Sequence, residues 1–326
     1  MIDRRFSIAP MLDWTDRHAR YFFRLFSRNV LLYTEMVTSG AVLFGDRGRF
    51  LAHHPHEHPV AFQLGGSDPG ELARSARYAA DAGFDEINLN IGCPSDRVQS
   101  GRFGACLMAQ PDLVARCVDA MARAVSIAVT VKTRIGIDRQ DSYEFFARFV
   151  DTVADAGCRS FTIHARKAWL QGLSPKQNRE IPPLVYDTVY RLKRDRPELE
   201  IVVNGGIRDI DEALRHLECV DGVMMGREAF RNPAVLFDVD RRIFGSRAAP
   251  LDRETILRRY LDYADAELRR GTFLKHLTPP LLGLFQGQPG AKAWKRHISE
   301  NAHRPGAGLD VLRDAAGSAF DLDLAA

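Results

Sequence analysis

Short apolar runs alternate with longer amphipathic segments over roughly the first 235 residues of the chain. In the longer segments apolar residues recur every three or four positions, which is the spacing of a helix that buries one face. Clear examples span residues 68–82, 111–124 and 142–156, and a capping residue or a proline opens each of them. The runs between them have the length and composition of buried strands. They lie at residues 6–10, 30–34, 59–64, 86–91, 128–133, 160–164, 201–204 and 222–226.

This alternation of strands and helices predicts parallel pairing, and eight strand–helix units match an α/β fold, the (β/α)8 or TIM barrel. The alternative is a doubly wound open sheet, in which a G-x-G-x-x-G motif typically follows the first strand. No such motif follows residues 6–10. Polar residues recur instead where almost every predicted strand ends. The sequence therefore favours the barrel over the open sheet.

The pattern changes after Asn232 and Pro233. Amphipathic helices fit residues 252–270, 291–302 and 309–320, and no strand-like alternation lies between them. We therefore predict a TIM-barrel catalytic domain over residues 1–235 and an all-helical domain over residues 236–326. The linker would be the stretch 244–250 or the residues just before it.

Composition limits the cellular setting. The 326 residues include 45 Lys and Arg against 42 Asp and Glu, so the net charge of +3 gives no overall basic field that would indicate nucleic acid. Five cysteines without a C-x-x-C pair suit a reducing cytosol better than a disulfide framework. No apolar run reaches the ~18 residues of a membrane span, and the first residues do not resemble a secretory signal. We expect a cytoplasmic protein that contacts no membrane.

The carboxyl ends of the strands form the active site in TIM-barrel enzymes. The residues at these ends are rich in cations and hydrogen-bond donors and poor in carboxylates. That set suits a phosphorylated, electron-accepting cofactor better than hydrolysis by paired acids. The residues are Pro10, Met11, Glu35, Gln63, Asn90, Cys93, Lys132, Arg134, His164, Arg166, Asn204, Gly205, Gly206, Gly226 and Arg227.

Two glycine motifs mark a candidate phosphate site. Gly205 and Gly206 follow the seventh strand, and Gly226 with Arg227 follows the eighth, where barrels commonly bind phosphate through loop amides. Glycine lets the backbone approach the phosphate, and an arginine can donate two hydrogen bonds to it. Tight turns between strand and helix would explain the same glycines, so both interpretations stay open.

Three further strand-end side chains suit a flavin ring. Lys132 at the barrel mouth needs an anionic partner, which a reduced flavin or a salt bridge to Glu35 would provide. Gln63 has a donor and an acceptor that match the edge of a flavin or a uracil. His164 fits the same site, although a lone histidine is more often part of a core.

Cys93 lies just past the fourth predicted strand, residues 86–91, and precedes a glycine-rich loop that includes Gly101 and Gly104. A thiol at a strand end, in a loop that can close as a lid, is a candidate nucleophile or proton donor. An ordinary thiol pKa of about 8.5 keeps it protonated at neutral pH, so it can act as an acid. No adjacent His and Asp pattern supports a papain-like hydrolase.

Four histidines, at positions 53, 54, 56 and 58, are spaced like a metal cluster. Pro55 interrupts them, and no second group of ligands accompanies them. We therefore predict a histidine-rich surface loop and no metal site.

Several consecutive segments resemble the tRNA-dihydrouridine synthases. These are residues 88–94 around Cys93, the loop 95–108, and the motifs at 132–136, 164–167 and 204–206. Residues 169–176 and 287–290 are similar to the A subfamily, the tRNA-dihydrouridine(20/20a) synthases. The resemblance extends over nearly the whole chain.

This resemblance implies an oxidoreductase that reduces D-loop uridines in tRNA to 5,6-dihydrouridine. It implies FMN at the barrel mouth, re-reduced by NADPH, with hydride passing from FMN N5 to uracil C6 and a proton from Cys93 to C5. The residues that would hold FMN are Pro10, Met11, Gln63, Lys132, His164, Asn204, Gly205, Gly206, Gly226 and Arg227. Asn90 would hold the uracil edge.

A basic segment in the predicted helical domain is the expected source of tRNA binding. Between Arg269 and Arg304 there are seven Lys and Arg and one acid. Lys292 and Lys295 share a helix face by their spacing, which suits phosphate contacts that do not read sequence. Lys176 and Arg179, after the sixth strand, are further candidates; the alternative for the helix is a solvated basic face.

Two other classes of function stay open on the sequence. An FMN-dependent barrel that reduces a free pyrimidine or a small enone would need the same cofactor site but not the basic helix. A non-catalytic RNA-binding module would need neither Cys93 nor the flavin site. No obligate protein partner is evident from the sequence.

Overall fold

The strands form one parallel sheet in the computed structural model, which describes residues 2–322. The first strand pairs with the last, and the order then runs backwards along the chain to the second. Within the described residues the strands are β1 (Phe6–Ile8), β2 (Leu32–Tyr33), β3 (Val37–Thr38), β4 (Val60–Gly65), β5 (Glu86–Ile91), β6 (Ala128–Arg134), β7 (Ser160–His164), β8 (Glu200–Asn204) and β9 (Gly222–Met225).

A short contact between β1 and β2 closes this sheet into a barrel. Ser7 forms a parallel bridge with Leu31, and the Ile8 amide donates to the Leu31 carbonyl at 3.0 Å. β3 adds two residues that pair with the end of β4, at Leu64 and Gly65, outside the ring of eight. The predicted (β/α)8 barrel is therefore confirmed, and the eight predicted runs are its eight strands.

Helices cover the outside of the barrel and make up the last part of the chain. The predicted helices at 68–82, 111–124 and 142–156 appear with bounds that differ by at most one residue at each end. No helix within residues 2–322 is long and apolar enough to span a membrane. The helices are α1 (Arg17–Arg24), α2 (Ser39–Phe44), α3 (Arg47–Phe50), α4 (Pro69–Asp81), α5 (Asp96–Ser100), α6 (Pro111–Ala124), α7 (Tyr143–Asp155), α8 (Tyr186–Asp195), α9 (Ile210–Leu217), α10 (Arg227–Arg231), α11 (Val239–Arg242), α12 (Arg253–Arg269), α13 (Leu274–Leu277), α14 (Ala291–Asn301) and α15 (Asp310–Phe320).

Local capping explains where several helices begin. The Asp68 side chain accepts from the Glu71 amide ahead of α4, and Ser142 accepts from Phe145 ahead of α7. α6 begins instead with Pro111, whose missing N–H is not needed in a first turn. These caps satisfy backbone donors that a helix start leaves free, so the helices begin where the sequence predicts.

Strand alternation divides the core into two layers. In β5 every second side chain enters the barrel, and the others pack in the apolar layer between strands and helices. The residues that enter the barrel are Glu86, Asn88 and Asn90, and those in the outer layer are Ile87, Leu89 and Ile91. The barrel interior therefore carries polar side chains that lead from its amino end towards its mouth.

The last part of the chain packs on the barrel through α1 and α12. The Tyr21 and Tyr263 rings stack with centroids 3.8 Å apart, and His18 Nδ1 lies 2.7 Å from the Tyr263 hydroxyl. Arg17 forms an ion pair with the buried carboxylate of Glu267. Because α1 begins at the carboxyl end of β1, these contacts place the end of α12 on the side of the barrel mouth.

A second set of contacts holds α11 on the barrel. Asp240 accepts hydrogen bonds from the Ser27 hydroxyl and the Arg28 amide, and Arg5 donates to the Ile243 carbonyl at 2.7 Å. The chain is therefore bound to the barrel as far as residue 243. The division into domains at 235 and 236 stays a prediction.

Candidate active site

The register of the strands brings the predicted cofactor residues to one edge of the barrel. Asn90 is the partner of Lys132 between β5 and β6, and His164 is the partner of Asn204 between β7 and β8. Because all the strands are parallel, side chains at their carboxyl ends face one mouth. Gln63 lies near the end of β4, on the other side of β5.

Gln63 is buried, and neighbouring amides hold its side chain from two sides. Its Nε2 donates to Asn88 Oδ1 at 2.8 Å, and its Oε1 accepts from Asn90 Nδ2 at 2.8 Å. Its backbone amide donates to Thr34 Oγ1 at 2.9 Å. The Gln63 amide therefore has a fixed orientation, as a residue that holds the edge of a ring requires.

Lys132 contacts a neutral partner. Its Nζ donates to Asn204 Oδ1 at 3.0 Å, and Asn204 Nδ2 in turn donates to the Met224 carbonyl at 2.8 Å. Glu35 accepts from the Asp13 amide instead, so the alternative of a Lys132–Glu35 salt bridge is wrong. Burial lowers the pKa of Lys132 to about 7, and Arg134 adds to the effect. An anionic group at the mouth would restore the charged form.

His164 lies among cations at the end of β7. Burial first, and then the charges of Arg134 and Lys132, hold the pKa of His164 well below its ordinary value. The imidazole is therefore neutral at physiological pH and can donate one hydrogen bond and accept another.

Asn90 holds the turn that carries Cys93. Its Oδ1 accepts from the Gly92 amide at 3.0 Å and the Cys93 amide at 2.9 Å. Together with the bond to Gln63, these contacts occupy both lone pairs and one N–H of the Asn90 side chain. One N–H of the Asn90 side chain is left to donate to a ligand. Cys93 itself is partly exposed, as a group that reacts with a substrate must be.

Gly104 fixes the loop that follows Cys93. The Cys93 carbonyl accepts from the Ala105 amide at 3.0 Å. Gly104 has φ of +75°, and an added Cβ would lie 2.6 Å from the Cys93 carbonyl oxygen and 2.4 Å from Val98 Cγ1. A side chain at position 104 would therefore displace the Cys93 turn or α5.

Gly205 and Gly206 form a turn that has no room for side chains. Their φ values are +117° and +80°, and an added Cβ would lie 2.7 Å from His164 Cδ2 at Gly205 and 2.8 Å from the Tyr186 hydroxyl at Gly206. Tyr186 also donates to the Gly205 carbonyl at 2.6 Å. The tight-turn interpretation therefore holds. Gly205 is buried and Gly206 is exposed, so within this turn Gly206 offers the open backbone that a phosphate site requires.

Several guanidinium groups gather beside this turn. Burial lowers the pKa of Arg166 and that of Arg179, and Arg227 adds to both effects. Arg227 pairs with the exposed Glu180 at 2.8 Å, and the buried Nε of Arg166 has no hydrogen-bond partner among residues 2–322. A cation cluster with an unpaired buried donor, next to two glycines, fits the phosphate of a cofactor such as FMN. Gly226 opens α10, in which Arg227 is the first residue.

The predicted tRNA residues fall in two places. Arg179 ends the 3-10 turn Gln177–Arg179 beside the cations of the mouth, and the exposed Lys176 immediately precedes that turn. Lys292 and Lys295 lie on α14, where Lys292 is exposed and Lys295 donates to Gln286 Oε1 at 2.5 Å. The remaining predicted residues, Pro10 and Met11, lie after β1, and the Met11 amide donates to Thr15 Oγ1 at 2.9 Å.

The histidines of residues 53–58 serve local structure. His54 caps the 3-10 turn Pro55–Glu57, and Glu57 forms a 2.6 Å ion pair with Arg20. His58 Nδ1 lies 2.7 Å from Asp85 Oδ2. Over residues 2–322, no group of three or more His, Cys, Asp or Glu side chains is arranged to hold a metal ion.

Asn88 and Tyr186 belong to the site but were not predicted from the sequence. Asn88 contacts Gln63, and Tyr186 contacts the Gly205 turn. The sequence holds a signal for Asn88, because Glu86, Asn88 and Asn90 alternate along a strand that should be apolar. It holds no comparable signal for Tyr186.

Comparison with known proteins identifies the family of the chain. A sequence model of the family described as dihydrouridine synthase (Dus) matches residues 7–320. Three relatives named tRNA-dihydrouridine(20/20a) synthase are similar along almost their full length. That of Shewanella oneidensis is 63% identical over 96% of this chain and 93% of its own. Those of Vibrio cholerae and Escherichia coli K12 are each 61% identical over 95% of this chain, and over 95% and 90% of their own.

A solved structure shares the fold at much lower identity. It is a complex of 2-naphthoyl-CoA reductase with 2-naphthoyl-CoA, with a TM-score of 0.58 and 9% identity over 74% of this chain and 50% of that one. This likeness supports the barrel alone. The family match and the relatives confirm the resemblance and the enzyme class predicted from the sequence. The chain belongs to the dihydrouridine synthase family of oxidoreductases, and the three relatives that it resembles are named tRNA-dihydrouridine(20/20a) synthase.

Proposed function

We propose that this protein reduces uridines 20 and 20a in the D-loop of tRNA to 5,6-dihydrouridine, with FMN at the barrel mouth and NADPH as reductant. The observation that carries the proposal is the placement at that mouth of Cys93, just past the end of β5, and Lys132, on the neighbouring β6. Lys132 pairs in register with Asn90, which in turn binds the Cys93 amide. A potential acid and a cation that has no carboxylate partner among the described residues thus lie at one site.

The side chains around the mouth would hold FMN as the sequence predicts, with Arg166 added. When bound and reduced by NADPH, the flavin supplies a hydride to uracil C6. Gln63 and His164 offer hydrogen bonds to the ring, and Lys132 offers a positive charge. Gly205, Gly206, Gly226, Arg227 and the unpaired Nε of Arg166 would bind the phosphate.

Cys93 has the role of general acid. Its thiol holds a proton at Sγ and gives it to uracil C5, so hydride and proton together saturate the double bond. The Gly92 and Cys93 amides donate to Asn90 Oδ1, which fixes the thiol relative to the ring, and the remaining Asn90 N–H holds the uracil edge. The target uridine has to leave its stack to reach this site, as in other enzymes that act on bases.

We assign tRNA binding to the part of the chain predicted as the helical domain, residues 236–326, together with the rim of the barrel. Lys292 and Lys295 on α14 would contact phosphates of the tRNA backbone. Lys176 and Arg179 would contact the part of the tRNA that lies near the barrel mouth. Contacts of this kind orient the RNA without reading its sequence.

Product analysis with two substrates tests this proposal against the reductase alternative. The pure protein, with FMN and NADPH, is incubated with unmodified tRNA or with free uridine. We expect dihydrouridine in the D-loop of the tRNA and none from the nucleoside. Reduction of free uridine at a similar rate would favour the small-molecule reductase, and no dihydrouridine from either would contradict the proposal.

A further inference from the structure

A continuous chain of side-chain hydrogen bonds runs through the barrel from its amino end to the Cys93 turn. It alternates between β5 and its two neighbours, β4 and β6. From the mouth inwards, the Cys93 amide donates to Asn90 Oδ1 (2.9 Å), Asn90 Nδ2 to Gln63 Oε1 (2.8 Å), Gln63 Nε2 to Asn88 Oδ1 (2.8 Å), Asn88 Nδ2 to Thr130 Oγ1 (2.9 Å) and Thr130 Oγ1 to Glu86 Oε1 (2.5 Å). We call this chain the interior relay.

Both ends of the interior relay have a fixed hydrogen-bonding role. At the mouth, the backbone amides of Gly92 and Cys93 can only donate. At the amino end, the Glu86 carboxylate accepts from Arg4 at 2.6 Å and from the Tyr33 hydroxyl at 3.1 Å. Every donor in the relay therefore points the same way, from the mouth towards Glu86.

This direction leaves one orientation for each amide between the ends. Rotating the Asn88 amide by a half-turn would place its NH2 against the Gln63 NH2 and its oxygen against Thr130, whose hydroxyl already donates to Glu86. The same holds for Gln63 and Asn90. Since all these groups are buried, each mismatched pair leaves polar atoms without a partner and is strongly disfavoured.

We propose that Glu86, Thr130 and Asn88 are positioning residues that set the orientation of the Gln63 amide and, through Asn90, the position of the Cys93 turn. None of the three lies at the mouth, and each acts through its neighbour in the relay. This role rests on the proposed function. It means that residues inside the barrel set the orientation of Gln63, which would hold the ring, and the position of Cys93, the proposed acid.

Thr130→Val tests the relay away from the mouth. Valine has nearly the shape of threonine but neither donates to Glu86 nor accepts from Asn88. Thr133→Val is the matched control, since Thr133 lies on the same strand and its hydroxyl contacts the Ile91 and Arg134 carbonyls outside the relay. We expect Thr130→Val to lower kcat about tenfold with the KM for tRNA little changed, and Thr133→Val to change neither.

Two readouts do not depend on turnover. The first is the visible spectrum of FMN bound to each variant, which we expect to shift in Thr130→Val because the Gln63 amide is no longer held. The second is the rate at which iodoacetamide alkylates Cys93, followed by mass spectrometry of its peptide. We expect that rate to change by about twofold or more when the turn is released.

Thr130→Ser keeps the hydroxyl and should restore the wild-type spectrum and alkylation rate. If Thr130→Val does not fold, Thr130→Ala leaves room for a water molecule and should show smaller changes in the same sense. Spectra and alkylation rates that match the Thr133→Val control would overturn the relay. A protein that makes no dihydrouridine would contradict the proposed function, but its Cys93 alkylation would still test the relay.

Discussion

At the scale of single residues, the barrel mouth combines cations that have few anionic partners with one thiol on a fixed turn. Lys132 donates to an amide oxygen, and the Arg166 Nε, although buried, has no hydrogen-bond partner in the described part of the chain. Cys93 lies on a turn whose amides are bound by Asn90. Burying such cations without an anionic partner costs free energy, and an anionic ring with a phosphate would offset that cost.

Cys93→Ala should separate chemistry from cofactor binding. It removes the proposed acid and leaves the residues that would hold FMN in place, so FMN affinity should be unchanged. Turnover should fall about 10²–10⁴-fold, the range that general acid catalysis contributes. Cys106→Ala is the matched control, because its thiol lies in the following 3-10 turn and donates to the Phe103 carbonyl. Equal turnover in the two variants would contradict the assignment.

The pH dependence of FMN binding should report on Lys132. Because its pKa is lowered to about 7, the free protein loses this positive charge as the pH rises through 7. FMN affinity, measured by quenching of flavin fluorescence, should therefore fall between about pH 6 and about pH 8. Lys132→Met should bind FMN more weakly and without this fall. The same fall in Lys132→Met would show that another group is responsible.

Gln63, Lys132, His164 and Asn204 could be predicted from the sequence because parallel strands end at one edge of a barrel. Their contacts could not. Lys132 binds Asn204, two strands away, and this choice depends on how the barrel closes around its interior. From the strand ends alone, a salt bridge between Lys132 and Glu35 was still possible.

At the scale of secondary-structure elements, the loop between β5 and α6 depends on one glycine. Gly104→Ala would strain a left-handed backbone and push against the Cys93 carbonyl. Gly245→Ala has nearly the same strain, with φ of +72°, but an added Cβ would meet no atom of residues 2–322 within 4 Å. We expect Gly104→Ala to lower the free energy of unfolding by about 1–3 kcal/mol more than Gly245→Ala. Urea denaturation measures the difference, and equal losses would show that the loop adapts.

The basic face of α14 should contribute to RNA affinity. Replacing Lys292 and Lys295 with glutamate should weaken tRNA binding about tenfold or more and flatten its dependence on salt. A matched control reverses Arg123 and Arg194, exposed residues at the carboxyl ends of barrel helices, which lie opposite the mouth. Filter binding at several salt concentrations compares the two variants. If they weaken binding equally, the RNA does not lie along α14.

Long elements were predictable from the sequence, and the short strand β3 was not. The helix at 252–270 has enough turns for its apolar spacing to be read, and the structure has it at Arg253–Arg269. β3 has two residues, Val37 and Thr38, and pairs only where β4 extends past β2. Two residues are too few to show a periodic pattern. The position of β3 is therefore set by the strand with which it pairs, β4.

At the scale of the whole molecule, the junction between α1 and α12 contains a buried histidine. The ordinary pKa of His18 is lowered to about 4, chiefly by burial, so the folded protein binds fewer protons here than the unfolded chain. The free energy of unfolding therefore contains the full contribution of neutral His18 above about pH 6.5. That contribution is lost as the pH falls towards 4. Stability should decrease by about 2 kcal/mol at pH 5 from this group.

His18→Asn provides the comparison for this effect, because it keeps a polar group near Tyr263 without titrating in that range. Urea denaturation of both proteins at pH 7 and pH 5 measures the loss that depends on His18. The wild type should lose more stability than the variant. An equal loss would place the pH sensitivity elsewhere, for example at His164 or His216, whose pKa values are also lowered by burial.

In the proposed reaction, hydride and proton reach a tRNA uridine at one mouth of the barrel. A single turnover tests this, with protein whose bound FMN has been reduced and whose excess NADPH has been removed. On addition of unmodified tRNA without oxygen, the absorbance of oxidised flavin should return, with one dihydrouridine formed for each flavin reoxidised. Flavin that stays reduced in the presence of tRNA, or is reoxidised without forming dihydrouridine, would contradict the claim.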